Sequence, residues 1–136
     1  MSETQPVYVR MVVPGNIDGF DARPGIFCAA YELKYRNDVD KISLEILLDL
    51  LGWFEEYLDA PDKFSRKKND SHSDFTRGLS WFKPSATVYV QKMWQLKTLL
   101  GEWDYPVEVL KTRRPGRIIY EDNVQVVADP FSDTPR

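Results

Sequence analysis

Seven side chains have the types and positions to hold an anion together: Arg36, Lys83, Ser85, Thr87, Arg113, Arg114 and Arg117. Arginine presents a planar fork of N–H donors that matches the oxygens of a phosphate or carboxylate, and lysine adds a point charge. Lys83 stands directly before Pro84-Ser85, a pair that opens a helix. Free backbone N–H groups and the positive end of the helix dipole favour negative charge there. Arg36, Lys83 and the run Lys111 to Arg114 each follow a stretch that reads as a strand. If those strands run parallel, their carboxyl ends bring the cations to one edge, the usual binding edge of an open sheet. The ligand would be a phosphate-bearing metabolite, a nucleotide or an RNA end. Against this, Ser85 has a purely structural use as a helix cap, and arginines beside a turn are commonly only solvated.

Other chemistries find less support. The single histidine, His72, excludes a His-pair metal site, and the single cysteine, Cys28, excludes an internal disulfide or a Cys-based zinc cluster. Ser71-His72-Ser73-Asp74 puts three catalytic residue types side by side, whereas a working triad is assembled from separate elements on rigid supports. Glu45, Asp49 and Glu56 share a helix face at the spacing of a solvated stripe, not of two carboxylates across a cleft. There is no phosphate-binding glycine loop, no H-E-x-x-H, no calcium loop and no Cys-x-x-Cys. The expectation is a non-catalytic domain with no metal and no cofactor. Cys28 sits in an apolar run and is expected to be a buried, inert thiol.

The elements that must position these residues follow from periodicity. Residues 7–13 (VYVRMVV) read as a strand, and residues 14–25, rich in Gly and Pro, as a loop. Phe27, Ala29, Tyr31, Leu33 and Tyr35 alternate, so residues 26–35 read as a second strand. A long helix follows, capped by Asp38 or Asp40 and closed by Pro61. Residues 60–77 form a long polar connection holding Lys63, Arg66, Lys67, Lys68 and Arg77, a separate basic patch. Residues 78–83 read as a strand, 85 onward as a second helix ending near Gly101, and 107–112 as the returning strand of a crossover. Two more strands, 118–121 and 124–128, turn at Asp122-Asn123, residues that tolerate positive φ.

The expected fold is therefore one α+β domain over residues 1–136, in the order β-β-α-β-α-β-β-β. A mixed two-layer sheet would carry two amphipathic helices on one face and end in an antiparallel meander. The opposite face would stay open or take a partner. Residues 1–6 and 131–136 are expected to be loose.

On the first helix, Leu44, Leu47, Leu48, Leu51, Phe54 and Leu58 form one apolar stripe, and Ile42, Ile46, Leu50, Trp53 and Tyr57 a second beside it. One sheet face cannot cover both. Trp94 lies well off the core face of the second helix, and tryptophan is enriched at interaction hot spots. Ile46, Trp53, Tyr57 and Trp94 thus mark an expected interface, with a homodimer the favoured partner. The net charge of −3 disfavours bulk binding to nucleic acid or an anionic membrane. No apolar stretch approaches the length of a membrane span, and no leader segment is evident, so a cytoplasmic location is expected.

Overall fold

The computed structural model describes residues 6–17, 21–59 and 78–136. Its elements are β1 (Tyr8–Val12), α1 (Ile26–Lys34), α2 (Lys41–Tyr57), β2 (Leu79–Phe82), α3 (Thr87–Glu102), β3 (Glu108–Thr112), β4 (Arg117–Glu121) and β5 (Gln125–Asp129). The connection expected at 60–77, with its basic run and His72, lies outside the described residues.

The α+β architecture with helices layered on a sheet is as the periodicity predicts, but residues 26–34 are a helix. Ile26, Ala29, Ala30 and Leu33 are its buried residues, at the i, i+3, i+4, i+7 spacing of one helix face. The aromatics that suggested a strand, Phe27, Tyr31 and Tyr35, recur every four residues and fit a helix flank equally well. Two alanines and the Glu32-Leu33-Lys34 ending decide for the helix. α2 begins as expected, with the Asp40 carboxylate accepting from the Ser43 N–H at 2.7 Å.

The five strands are ordered β3-β1-β2-β5-β4, and every pairing is antiparallel, so the sheet is not mixed. β1 inserts between β2 and β3, which α3 connects. Being antiparallel to both, it leaves them parallel to each other, as the crossover predicts, but not neighbours. The expected three-strand meander is likewise only a β4–β5 hairpin: β5 pairs with β2, and β3 lies at the far edge.

That placement constrains the whole sheet. Only residues 113–116 join the end of β3 to the start of β4, and these are opposite edge strands. Five Cα steps reach about 18 Å when extended. Four inter-strand spacings in a flat sheet would need about 19 Å even with no travel along the strands. The sheet must curl so that its edges approach. Its inner face, expected to stay open or take a partner, instead closes on a core of its own, with Tyr8, Val12, Trp81, Leu110 and Val126 all buried.

The C-terminal residues, expected loose, tie this curl together. The Thr134 hydroxyl donates to the Arg114 carbonyl at 3.1 Å, and Thr134 is buried. Arg23 Nε donates to the Arg136 carbonyl while Arg23 Nη1 meets Glu108 on β3 at 2.7 Å. The outer face packs Met11, Val13 and Phe82 against Ile26, Leu33, Leu47, Leu51, Met93, Leu96 and Leu100 of the three helices.

The β4–β5 turn closes without positive φ, since Asp104 has the only non-glycine positive φ among the described residues. Instead the Asp122 carboxylate accepts from the Val124 and Gln125 backbone N–H groups at 2.9 and 3.0 Å, from Tyr120 Oη and from Gln125 Nε2. Gln125 is itself buried and donates to the Asp59 carbonyl at the end of α2, joining the turn to the helix layer.

Two outcomes test this account. Gly116 holds φ of 130°, and a Cβ there would overlap the Asp129 carbonyl. Gly116→Ala should cost more than about 2 kcal/mol, read as a lower urea midpoint with unchanged slope. Partial burial opposes ionisation of Asp122, but the N–H and O–H donors outweigh it and hold its pKa below the usual value. A depressed native pKa gives stability that is present above the unfolded value of about 3.9 and lost as pH falls through the native one. Asp38 and Asp40 are shifted the same way, by Arg36 and by Ser43. Asp122→Asn should therefore cost about 1 kcal/mol at neutral pH and leave a shallower, not absent, acid loss.

Candidate functional site

The seven cations and hydroxyls expected at one edge are divided by the fold. Val9 pairs with both Phe82 and Lys111, so Lys83 and Arg113 leave β2 and β3 at the same end of the sheet. Ser85 and Thr87 stand there with them, at the start of α3. The helix cap is Ala86, with no side-chain hydrogen bond, so Ser85 does not cap. Lys83 Nζ is held by Glu121 at 2.6 Å.

Arg36 lies at the other end of α3. It pairs with Asp38 at 2.6 Å, which raises its pKa, and donates to the Trp103 carbonyl. Its guanidinium also packs over the Trp103 and Tyr105 rings at 5.5 and 5.7 Å. A cation beside the last carbonyls of a helix complements the dipole, which gives Arg36 a structural role. Arg117 opens β4 and faces Asp129 at 3.7 Å. Arg114 turns to the C-terminal residues, pairing with Asp133 at 3.1 Å and stacking over Phe131. The strand reading of residues 26–35 had put Arg36 at a strand end, and the meander reading had put Arg117 beside Arg113. Both changed with the topology.

The four expected interface residues also fall on two surfaces. Ile46, with 47% of its surface exposed, and Tyr57, with 53%, lie along one flank of α2 with Trp53, and Ile42 extends the flank at 71%. Ile46, Asp49, Trp53 and Glu56 face Lys92 and Gln95 across a groove between α2 and α3. Lys92 Nζ sits over the Trp53 ring at 5.5 Å. Trp94 is 44% exposed and stacks under Lys97. At 100° per residue, positions 92 and 95 lie on one flank of α3 and positions 94 and 97 on the other. Trp94 is therefore not part of the α2 surface.

One site was not among the expectations from sequence. β1 and β2 pair only at Val9–Phe82 and then part. Arg10, only 8% exposed, fills the split. Its Nη2 donates to the Arg23 carbonyl at 2.9 Å and its Nη1 to the Ser80 carbonyl at 3.4 Å, while Nε is buried with no partner. Burial pulls its pKa down to about 10. The guanidinium lines a cavity of about 410 Å³, together with Met11, the first residues of α1, Leu58, Phe82 and Met93. Cys28, on the first turn of α1, is at its wall and is an exposed free thiol, where the apolar run around it suggested burial. On the helix Cys28 lies off the buried face formed by Ile26, Ala29, Ala30 and Leu33. A hint was present in the sequence: Arg10 interrupts an otherwise apolar strand.

Among the described residues no three of His, Cys, Asp and Glu are grouped to hold a metal ion, and no helix is long and apolar enough to cross a membrane. The exposure of Cys28 predicts that one thiol titrates with a disulfide reagent in native buffer. A thiol that reacts only after denaturant is added would contradict the helical placement of α1.

Compared with known proteins, the chain matches no family model, no curated protein and no solved structure.

Proposed function

We propose that the protein is a non-catalytic interaction domain that associates through the outer flank of α2, with a second copy of the chain as partner. The observation that carries this reading is the row Ile42, Ile46 and Tyr57, which stays exposed beside the half-buried Trp53 although α1 and α3 both pack against α2. Large apolar side chains in a row are costly to leave in water, and such patches mark contact surfaces. The charges on α2 favour an antiparallel, twofold arrangement. Lys41 opens the helix and Glu56 stands in its last turn, so two copies packed head to tail set each Lys41 toward the other copy's acidic end. Gly52 is exposed near the middle, with open space where a Cβ would stand, and lets a partner helix approach. The single free thiol suits a reducing compartment, and on this reading the domain works in the cytoplasm.

A second reading is an anionic-ligand binder at the strand-end edge. Lys83, Ser85, Thr87 and Arg113 do share that edge with an α3 start that lacks a side-chain cap. It has the weaker support, because Glu121 already neutralises Lys83 and the other arginines lie elsewhere.

Light scattering after size exclusion tests the first reading. The wild-type chain should have the mass of two copies at high concentration. Ile46→Glu should have the mass of one, with an unchanged thermal midpoint, because the side chain is half exposed within the monomer. A wild-type chain that stays monomeric at its solubility limit overturns it.

A further inference from the structure

The Arg10 cavity is independent of the α2 surface, and its chemistry is specific. A buried guanidinium normally has a carboxylate beside it, because taking a charge out of water costs several kcal/mol unless it is compensated. Among the described residues Arg10 has no such ion pair; its two hydrogen bonds go to neutral carbonyls. Arg10 is thus a buried cation with no counter-ion among the described residues.

The start of α1 points to the same place. Gly25, its N-cap, has no side chain to cap the helix, and the first turn carries no acidic residue. Within that turn the Cys28 N–H donates to the Gly25 carbonyl at 3.1 Å, and the N–H groups before it have no side-chain acceptor. Arg10 Nη1 lies 3.7 Å from where a Cβ on Gly25 would stand, so the guanidinium and the helix start are adjacent. Both favour an anion, and both lie against one cavity.

The rest of the cavity says what the anion is attached to. Its walls are mainly apolar, with Met11, Phe27, Leu58, Phe82 and Met93 among them. A volume of about 410 Å³ is that of a small-molecule site. Asp59 is the one acidic residue among the lining side chains. A dianion would meet its repulsion and would leave a second charge without a counter-ion among apolar groups. A monoanion has its single charge matched by Arg10.

We propose that this cavity binds a hydrophobic monocarboxylic acid, with the carboxylate beside Arg10 and the first turn of α1 and the apolar body between the sheet and α3. Arg10 supplies the charge and the α1 N–H groups orient the headgroup. Cys28, at the cavity wall, is shielded when the site is filled.

Cys28 gives the readout, since it is the only thiol in the chain. The full-length wild-type protein is alkylated with iodoacetamide alone and in the presence of octanoate, octanol or inorganic phosphate, and thermal midpoints are taken in parallel. Octanoate should slow the alkylation severalfold and raise the midpoint, and neither octanol nor phosphate should do so. Equal protection by octanol would mean an apolar gap with no use for Arg10. Equal protection by phosphate would mean a general anion site, and no protection by octanoate would mean no site; each result overturns the proposal. Arg10→Met, which keeps the bulk and removes the charge, should lose the octanoate effect, and retention of that effect also overturns it. If that variant does not fold, the three wild-type arms decide alone.

Discussion

The short joint at residues 113–116 governs this structure. It connects strands that lie at opposite edges of the sheet, and its reach is less than the width of a flat five-stranded sheet. The sheet therefore curls. Curling closes the inner face around Trp81 and leaves the outer face alone to hold all three helices. Gly116, whose φ of 130° brings β4 over the end of β5, and the C-terminal residues around Thr134 hold the edges together. The weakest seam of the curled sheet is between β1 and β2, which share a single paired position. Arg10 occupies that seam, and the cavity opens beside it.

The helix layer follows from the same geometry. With residues 26–34 moved from the sheet to the helices, α2 gains α1 as a neighbour and buries Leu47, Leu50, Leu51 and Phe54. Phe27 meets Phe54 edge-on at 5.1 Å, and Trp53 meets Tyr89 at 4.8 Å, so aromatic contacts join α1 to α2 and α2 to α3. Two neighbouring helices still cannot surround α2. Its second apolar stripe is covered at Leu50 and left open at Ile42 and Ile46. The excess of apolar girth visible in the sequence thus becomes a located surface.

The charged residues show the opposite relation between sequence and structure. Their types say that an anion could be held, but their use depends on neighbours far away in the chain. Lys83 meets Glu121, Arg114 meets Asp133 and Arg36 meets the end of α3, over separations that no local pattern encodes. Arg10, in contrast, is a single charge in an otherwise apolar strand. It became the buried cation because β1 parts from β2 at its position. Burial, which decides whether a charge is solvated or in need of a partner, is a property of the assembled layers.

The sequence alone determined what depends on neighbours a few residues apart. α2 and its Asp40 cap, α3, the β4–β5 hairpin and the parallel relation of β2 and β3 through α3 all rest on local periodicity, capping and short connections. It erred at residues 26–34, where apolar residues spaced for either a helix or a strand were resolved by packing against α2 and α3. Only the tertiary structure decided the insertion of β1, the curl, the dispersal of the cations and the cavity at Arg10. Each of those is a matter of which distant segments meet. The free energy that selects among such meetings comes from burial summed over the whole sheet and helix layer, and no window of sequence contains that sum.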